Sequence, residues 1–201
     1  MLIKIIKEGI HDDHCPESGP IVNKISAICS TVVLLKAEKE GEKNMLIDTG
    51  NIGFEDEIID GLKKEGLTPE DIEIIINTHR HHDHAHNNYL FRNAERIIGK
   101  GIWKPDGTLD VYKKPEDISV PGVEIIQTPG HLEGHVSVIV ESEGKKTVIA
   151  GDALVPEYID QLDETGKKSA LKIMGLADRV IPGHGDMIEK DELEDIRRKL
   201  E

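Results

Sequence analysis

Long apolar runs are missing from this sequence. The most apolar stretches, around residues 72–76 and 136–140, span only a handful of residues. A membrane-spanning helix needs roughly 20, so helical membrane proteins are excluded. Cysteine is scarce: Cys15 and Cys29 are the only two. Two are too few for a disulfide framework, which points to reduced thiols and a cytoplasmic chain. The first residues, MLIKIIKEGIHDDHC, lack the apolar stretch and small-residue cleavage site of a secretory signal. Basic charge is in deficit, with 25 Lys+Arg against 39 Asp+Glu and a net charge of −14. That argues against gripping a polyanion across a broad basic surface. It leaves room for a nuclease whose metal ions meet the phosphate. Aromatic residues make up 3%. Trp103 and Tyr89 are therefore expected in packing before any role as a pocket wall. No repeat, low-complexity tract or Ser/Gly linker divides the 201 residues, so residues 1–201 read as a single domain.

What is present is enough apolar residue to bury a core, 37%, under a highly charged surface. Strands are expected at 2–7, 25–37, 43–48, 72–77, 123–127, 136–142, 146–150 and 179–181. Helices are expected at 54–65, 169–176 and 191–200. Gly41 and the Ser142-Glu143-Gly144 run mark turns between strands, and Gly66 stops the first helix. Thr68-Pro69-Glu70-Asp71 opens a short capped turn. Residues 10–20 read as a polar loop, and 100–121 as a loop-rich connection with a strand or two. Strands alternate with helices in both halves, which is the pattern of an α/β domain.

The informative run is Thr78-His79-Arg80-His81-His82-Asp83-His84. It begins where an apolar strand ends, the usual place for ligand groups in α/β proteins. His79 and His81 are two apart on an extended turn and can face one side, while Asp83 and His84 can face a second ion. Imidazole and carboxylate together suit zinc, iron or manganese. Three later strands end in Pro129-Gly130-His131, Gly151-Asp152 and Pro182-Gly183-His184-Gly185. Each sets a His or Asp beside a glycine that lets backbone approach closely. One such ending is weak evidence; the ordered set after a His-x-His-x-Asp-His run is strong.

With Asp48-Thr49-Gly50 ahead of it, this series of motifs resembles the metallo-β-lactamase-fold hydrolases from Asp48 to Gly185. The resemblance implies a four-layer αββα sandwich of two packed mixed sheets. It implies that His79, His81 and His131 hold one divalent ion, that Asp83, His84 and His184 hold another, and that Asp152 bridges them. Asp48 is implied to orient ligands, since ligating imidazoles need an outer partner. Two ions, zinc by default, would share a hydroxide that attacks a carbonyl carbon or a phosphorus. Asp83 and Asp152 are the carboxylates placed for the chemistry.

His86 and His135 are candidates for the pocket. For His135 a structural hydrogen bond is the leading expectation, and His82 is expected to point away. His11 and His14, with Cys15, read as a solvated loop because their spacing matches no closed zinc site. Residues 83–91 also resemble the small subgroup that includes the animal metallo-β-lactamase domain-containing protein 1, linked to RNA cleavage, although His86 stands where a glycine is usual. The first functional expectation is a hydrolase of a small ester, thioester or lactone. The second is a phosphodiesterase or ribonuclease, for which Arg80, Arg92, Arg96, Lys100 and Lys104 could line a basic groove. A non-catalytic metal-binding domain is the third. Partners are expected to be small molecules, with no membrane.

Overall fold

A computed structural model of the chain describes residues 1–12 and 27–200. The first strands are β1 (Leu2–Lys7), β2 (Ile10–Asp12), β3 (Ala27–Cys29), β4 (Val32–Lys36) and β5 (Met45–Ile47). Helix α1 (Glu55–Lys64) leads to β6 (Ile74–Ile76), the one-turn helix α2 (His82–Ala85), and β7 (Glu95–Ile98), β8 (Gly101–Trp103) and β9 (Leu109–Val111). The second half runs β10 (Val123–Gln127), β11 (Val136–Ser142), β12 (Lys145–Gly151), α3 (Glu164–Leu176), β13 (Arg179–Pro182), β14 (Ile188–Glu189) and α4 (Lys190–Leu200). One sheet has the order β1-β4-β5-β6-β7-β8-β9 and the other β10-β11-β12-β13-β14, with β2-β3 a small separate pair. Both large sheets are mixed. β5, β6 and β7 run parallel in the first, and β12 and β13 in the second.

Strand alternation sorts the apolar side chains into three cores. Val33, Leu35, Met45, Ile47, Ile74 and Ile76 face inward and meet Ile125, Val138, Val140, Ile149 and Ile181 of the other sheet. The intervening residues Val32, Leu34, Leu46 and Ile75 face outward onto Ile58 and Leu62 of α1. On the far side Ile126, Ile139, Val148 and Val180 face Ile173 of α3 and Leu193 and Ile196 of α4. Three cores separate four layers, the αββα architecture expected.

The structure departs from expectation in particular places. The long strand anticipated at 25–37 is two strands, because Ser30 and Thr31 leave the ladder. Their backbone N–H groups donate instead to the carbonyls of Asp83 (3.0 Å) and Gly183 (2.7 Å). Residues 25 and 26 lie outside the described residues. Helix α3 starts at Glu164 rather than Ser169, because the Asp163 carboxylate accepts the Gly166 N–H at 2.7 Å and caps it. Strands β7 and β14 carry too few apolar residues to be read from sequence. β7 forms because a parallel neighbour, β6, is there to pair with it. Of the polar loop anticipated at 10–20, Ile10–Asp12 pairs with β3. His14 and Cys15 lie outside the described residues.

Helix α1 crosses β1 so closely that a Cβ on Gly61 would overlap the backbone carbonyl of Ile6. Gly175 in α3 has open space around it. Gly61→Ala is therefore expected to lower unfolding free energy by about 1–3 kcal/mol. Gly175→Ala should raise it by about 0.5–1 kcal/mol through helix propensity. Urea denaturation of both variants reads the two opposite signs.

Candidate metal centre

The groups singled out in the sequence follow the ends of strands that the two sheets bring together. Asp48 follows β5, the His run follows β6, His131 follows β10, Asp152 follows β12 and His184 follows β13. Two close approaches make this convergence feasible. Gly151 has φ +52°, and a Cβ there would press on the Thr78 hydroxyl at 2.5 Å. A Cβ on Gly183 would overlap the Asp152 carboxylate. Each position has room for glycine alone. Helix α2 is held in place through its own carbonyls. The Thr49 N–H (2.8 Å) and the Asn77 amide (3.0 Å) both donate to the carbonyl of His84.

Two groups of side chains result, each able to hold a cation: His79, His81, His131 and Asp152 in one, Asp83, His84 and His184 in the other. Asp152 faces both. Its Oδ2 lies 3.4 Å from His131 Nε2 and 3.8 Å from His79 Nε2, and its Oδ1 lies 3.3 Å from His84 Nε2 and 3.6 Å from His184 Nε2. Asp83 Oδ2 is 3.4 Å from His84 Nε2 and 3.2 Å from His184 Nε2.

Behind these atoms, the outward ring nitrogens of His84 and His184 have partners. His84 Nδ1 lies 2.8 Å from Asp48 Oδ2, and His184 Nδ1 donates to the Ile10 carbonyl at 3.2 Å. In front, His79 Nε2, His84 Nε2 and Asp152 Oδ1 are buried without a hydrogen-bond partner. Buried orphans of this kind are costly unless something satisfies them. The converging imidazole and carboxylate atoms are the donor set of a divalent transition metal. The residues fit the group.

Charge follows the same logic. Burial pushes the His79 imidazole far down, helped by His84, His135 and His131 around it. Burial also lowers His131, with His81 and His84 adding to it. Burial would raise the Asp152 carboxyl, but His84, His184 and His79 outweigh it and hold it well below the usual range. Asp83 is likewise lowered, by His184 and His84 against burial. Burial would lower His84, yet Asp48 and Asp152 outweigh that and hold it well above its ordinary value. Neutral imidazoles and ionised carboxylates are the forms a metal requires, and the proton on His84 is the one an ion would displace.

The remaining histidines divide. His135 is fully buried. It stacks on the His79 ring at 5.0 Å and 24°. Its Nδ1 lies 3.0 Å from the Thr128 hydroxyl, which lies 2.8 Å from Ser137 Oγ, which donates to the Ala150 carbonyl. His135 is thus behind the centre and does not line the cavity in front. His82 is exposed, and His86 is half-buried against it at 5.8 Å. A cavity of about 440 Å³ opens over both groups. His11, expected in a solvated loop, lines it. Its ring packs on His184 at 5.5 Å, and its Nδ1 lies 2.7 Å from the Tyr158 hydroxyl. Residues 11 and 158 are far apart in the chain, and neither stands in a motif that would have linked them. Trp103 and Tyr89 are exposed and absent from the cavity wall.

A family profile described as the metallo-beta-lactamase superfamily matches residues 29–110 and 100–186. The chain belongs to the metallo-beta-lactamase superfamily. It is 34% identical over 158 residues to a protein of Methanocaldococcus jannaschii named as a metallo-hydrolase, covering 74% of each chain. It is 30% identical over 163 residues to metallo-beta-lactamase domain-containing protein 1 of Xenopus laevis, covering 73% of this chain and 68% of that one. A metallo-beta-lactamase family protein from Thermus thermophilus superimposes with a TM-score of 0.65 at 18% identity, over 98% of this chain and 78% of that one. Superfamily members are metal-dependent hydrolases that bind divalent metals such as zinc, and this chain is an enzyme of that kind.

In this superfamily member, burial holds the His135 imidazole down to about 3, against an ordinary value of 6.5. Below 6.5 the unfolded chain takes up a proton that the folded chain refuses. Stability of the metal-free protein should therefore fall as pH drops from 6.5 toward 3. His135→Asn keeps a donor for Thr128 but no titrating ring. It should flatten that slope by about 1.4 kcal/mol per pH unit, read by urea unfolding across the range.

Proposed function

We propose that this enzyme is a dinuclear hydrolase of small, uncharged esters, thioesters or lactones. His79, His81 and His131 would hold one ion and Asp83, His84 and His184 the other, with Asp152 facing both groups. Zinc is the default for so many imidazoles, and iron or manganese would accept the same ligands. When bound, the ions would supply hydroxide at neutral pH and polarise the carbonyl to be attacked. The chain's own part is to hold ligands and substrate. Asp48 orients His84, and Asp83 is the base at hand if its own group holds no ion.

The observation that carries the substrate class is the cavity wall. Ile28, Val155 and Leu162 give it apolar surface, and Tyr158, Gln161, His11 and the Asp163 carboxylate, which is engaged in capping α3, give it polar groups. Among the described residues no Lys or Arg lines it. A substrate carrying a carboxylate or phosphate away from the ions would find no countercharge there, whereas an acyl chain or small ring would find apolar contact. The basic residues considered for a nucleic-acid groove stand elsewhere. Arg80, Arg92 and Lys100 are exposed, Arg96 donates to the Phe91 carbonyl, and Lys104 pairs with Asp110. The reading is also supported by a 33% identity over 108 residues, 47% of this chain and 43% of that one, with a Bacillus protein named as an N-acyl homoserine lactonase.

The test offers one zinc-loaded preparation an aliphatic lactone, a thioester and an activated phosphodiester. His79→Ala and Asp152→Ala proteins serve as blanks. Lactone or thioester turnover that the blanks abolish is the expected result. Turnover of the phosphodiester alone would replace this reading with the phosphodiesterase one.

A further inference from the structure

Thr78 precedes the first ligand of the His run and is fully buried. Its hydroxyl stands where three groups meet: Asp48 Oδ2 at 2.8 Å, His79 Nδ1 at 3.1 Å and His84 Nδ1 at 3.4 Å. Its backbone N–H donates to Asp48 Oδ1 at 2.8 Å. A hydroxyl has one proton, and an ionised carboxylate only accepts. The Thr78 proton therefore goes to Asp48, and the hydroxyl oxygen is left to accept. His79 must then carry its proton on Nδ1 and present a bare Nε2, which is the atom found buried and unpartnered. Asp48 Oδ2 reaches His84 Nδ1 directly at 2.8 Å and holds the proton there, so Nε2 is the nitrogen whose proton an ion would displace.

We propose that Thr78 is a positioning residue that relays Asp48 to His79, so that one carboxylate prepares one imidazole in each of the two ligand groups. His84 takes its orientation from Asp48 itself, and His79 takes its own through the Thr78 hydroxyl. The inference rests on the two-ion reading of the centre and is independent of the substrate.

The first measurement is the tautomer of His79 in the metal-free wild type, read from long-range 1H–15N correlations of labelled imidazole rings. Protonation at Nδ1 is expected, and an Nε2–H tautomer overturns the relay outright. Stepwise zinc affinities, from competition with a chromophoric chelator, then separate the variants. Thr78→Val, which removes only the hydroxyl, should weaken one of the two zinc constants about 10–100-fold. Thr78→Ser should restore that constant to within a few-fold of wild type. Asp48→Asn should weaken both constants. The Asp48→Asn/Thr78→Val double variant should lose no more at the His79 group than Asp48→Asn alone, because the two act in series. The relay is overturned if Val matches wild type, if Ser loses as much as Val, or if the two losses add. Failure of the wild type to bind two zinc ions would overturn the two-ion reading itself. Lactone turnover enters none of these readouts, so the substrate proposal stands or falls separately.

Discussion

A ligating imidazole works only if the nitrogen facing the metal is bare, and that requires the other nitrogen to be engaged. In this protein Asp48 stands where it can meet that requirement. Its carboxylate is buried, and it accepts from the Thr78 backbone, the Thr78 hydroxyl and the His84 ring. Asp48 sits at the end of β5 with φ +58°, a left-handed conformation unusual for any residue but glycine. The neighbouring backbone explains why it persists. The Asp48 N–H donates to the Ile76 carbonyl of β6, and the next N–H, of Thr49, donates to the carbonyl of His84. The conformation that is locally unfavourable ties β5, β6 and α2 together and aims the carboxylate at the rings.

The rest of the architecture serves that convergence. The first sheet supplies Asp48 and the His run, and the second supplies His131, Asp152 and His184. Neither sheet alone carries the complete donor set. The inner core that joins them, from Val33 and Ile76 to Val138 and Ile181, therefore sets how far apart the donors lie. Short polar ties at the rim complete the alignment. Ser30 and Thr31 donate to the carbonyls of Asp83 in α2 and of Gly183, and the Val136 N–H donates to the Thr78 carbonyl. The glycines at 151 and 183 let strands of one sheet approach the motif of the other.

Burial does double duty at this junction. It keeps His79, His131 and His135 neutral, while His84 and His184 keep Asp83 and Asp152 ionised. His135 ligates nothing in either group; it is a neutral plate against the His79 ring. Toward solvent the wall changes character, with His11 and Tyr158 beside Ile28, Val155 and Leu162. The motif residues form the floor of the cavity, and residues outside the motifs form the walls. Candidate donors and cavity walls in this way come from different parts of the chain.

Much of this was legible in the sequence. The continuous apolar runs Val32–Leu35 and Val138–Val140 mark strands buried on both faces, and the ordered His and Asp strand endings mark a candidate metal centre. Short strands are not legible there, because a strand such as β7 has little pattern of its own and exists by pairing with β6. The break at Ser30-Thr31 is not legible either, because its hydrogen-bond partners, Asp83 and Gly183, are distant in the chain. The same holds for His11 against Tyr158 and for Thr78 between Asp48 and two imidazoles. The sequence by itself determined the fold family and named the candidate donors, because apolar patterning and donor chemistry are local properties of a residue and its neighbours. Tertiary structure alone decided which oxygen of Asp152 faces which group, which hydroxyl holds which ring, and what lines the cavity. Those depend on distances between segments that meet only when the two sheets pack.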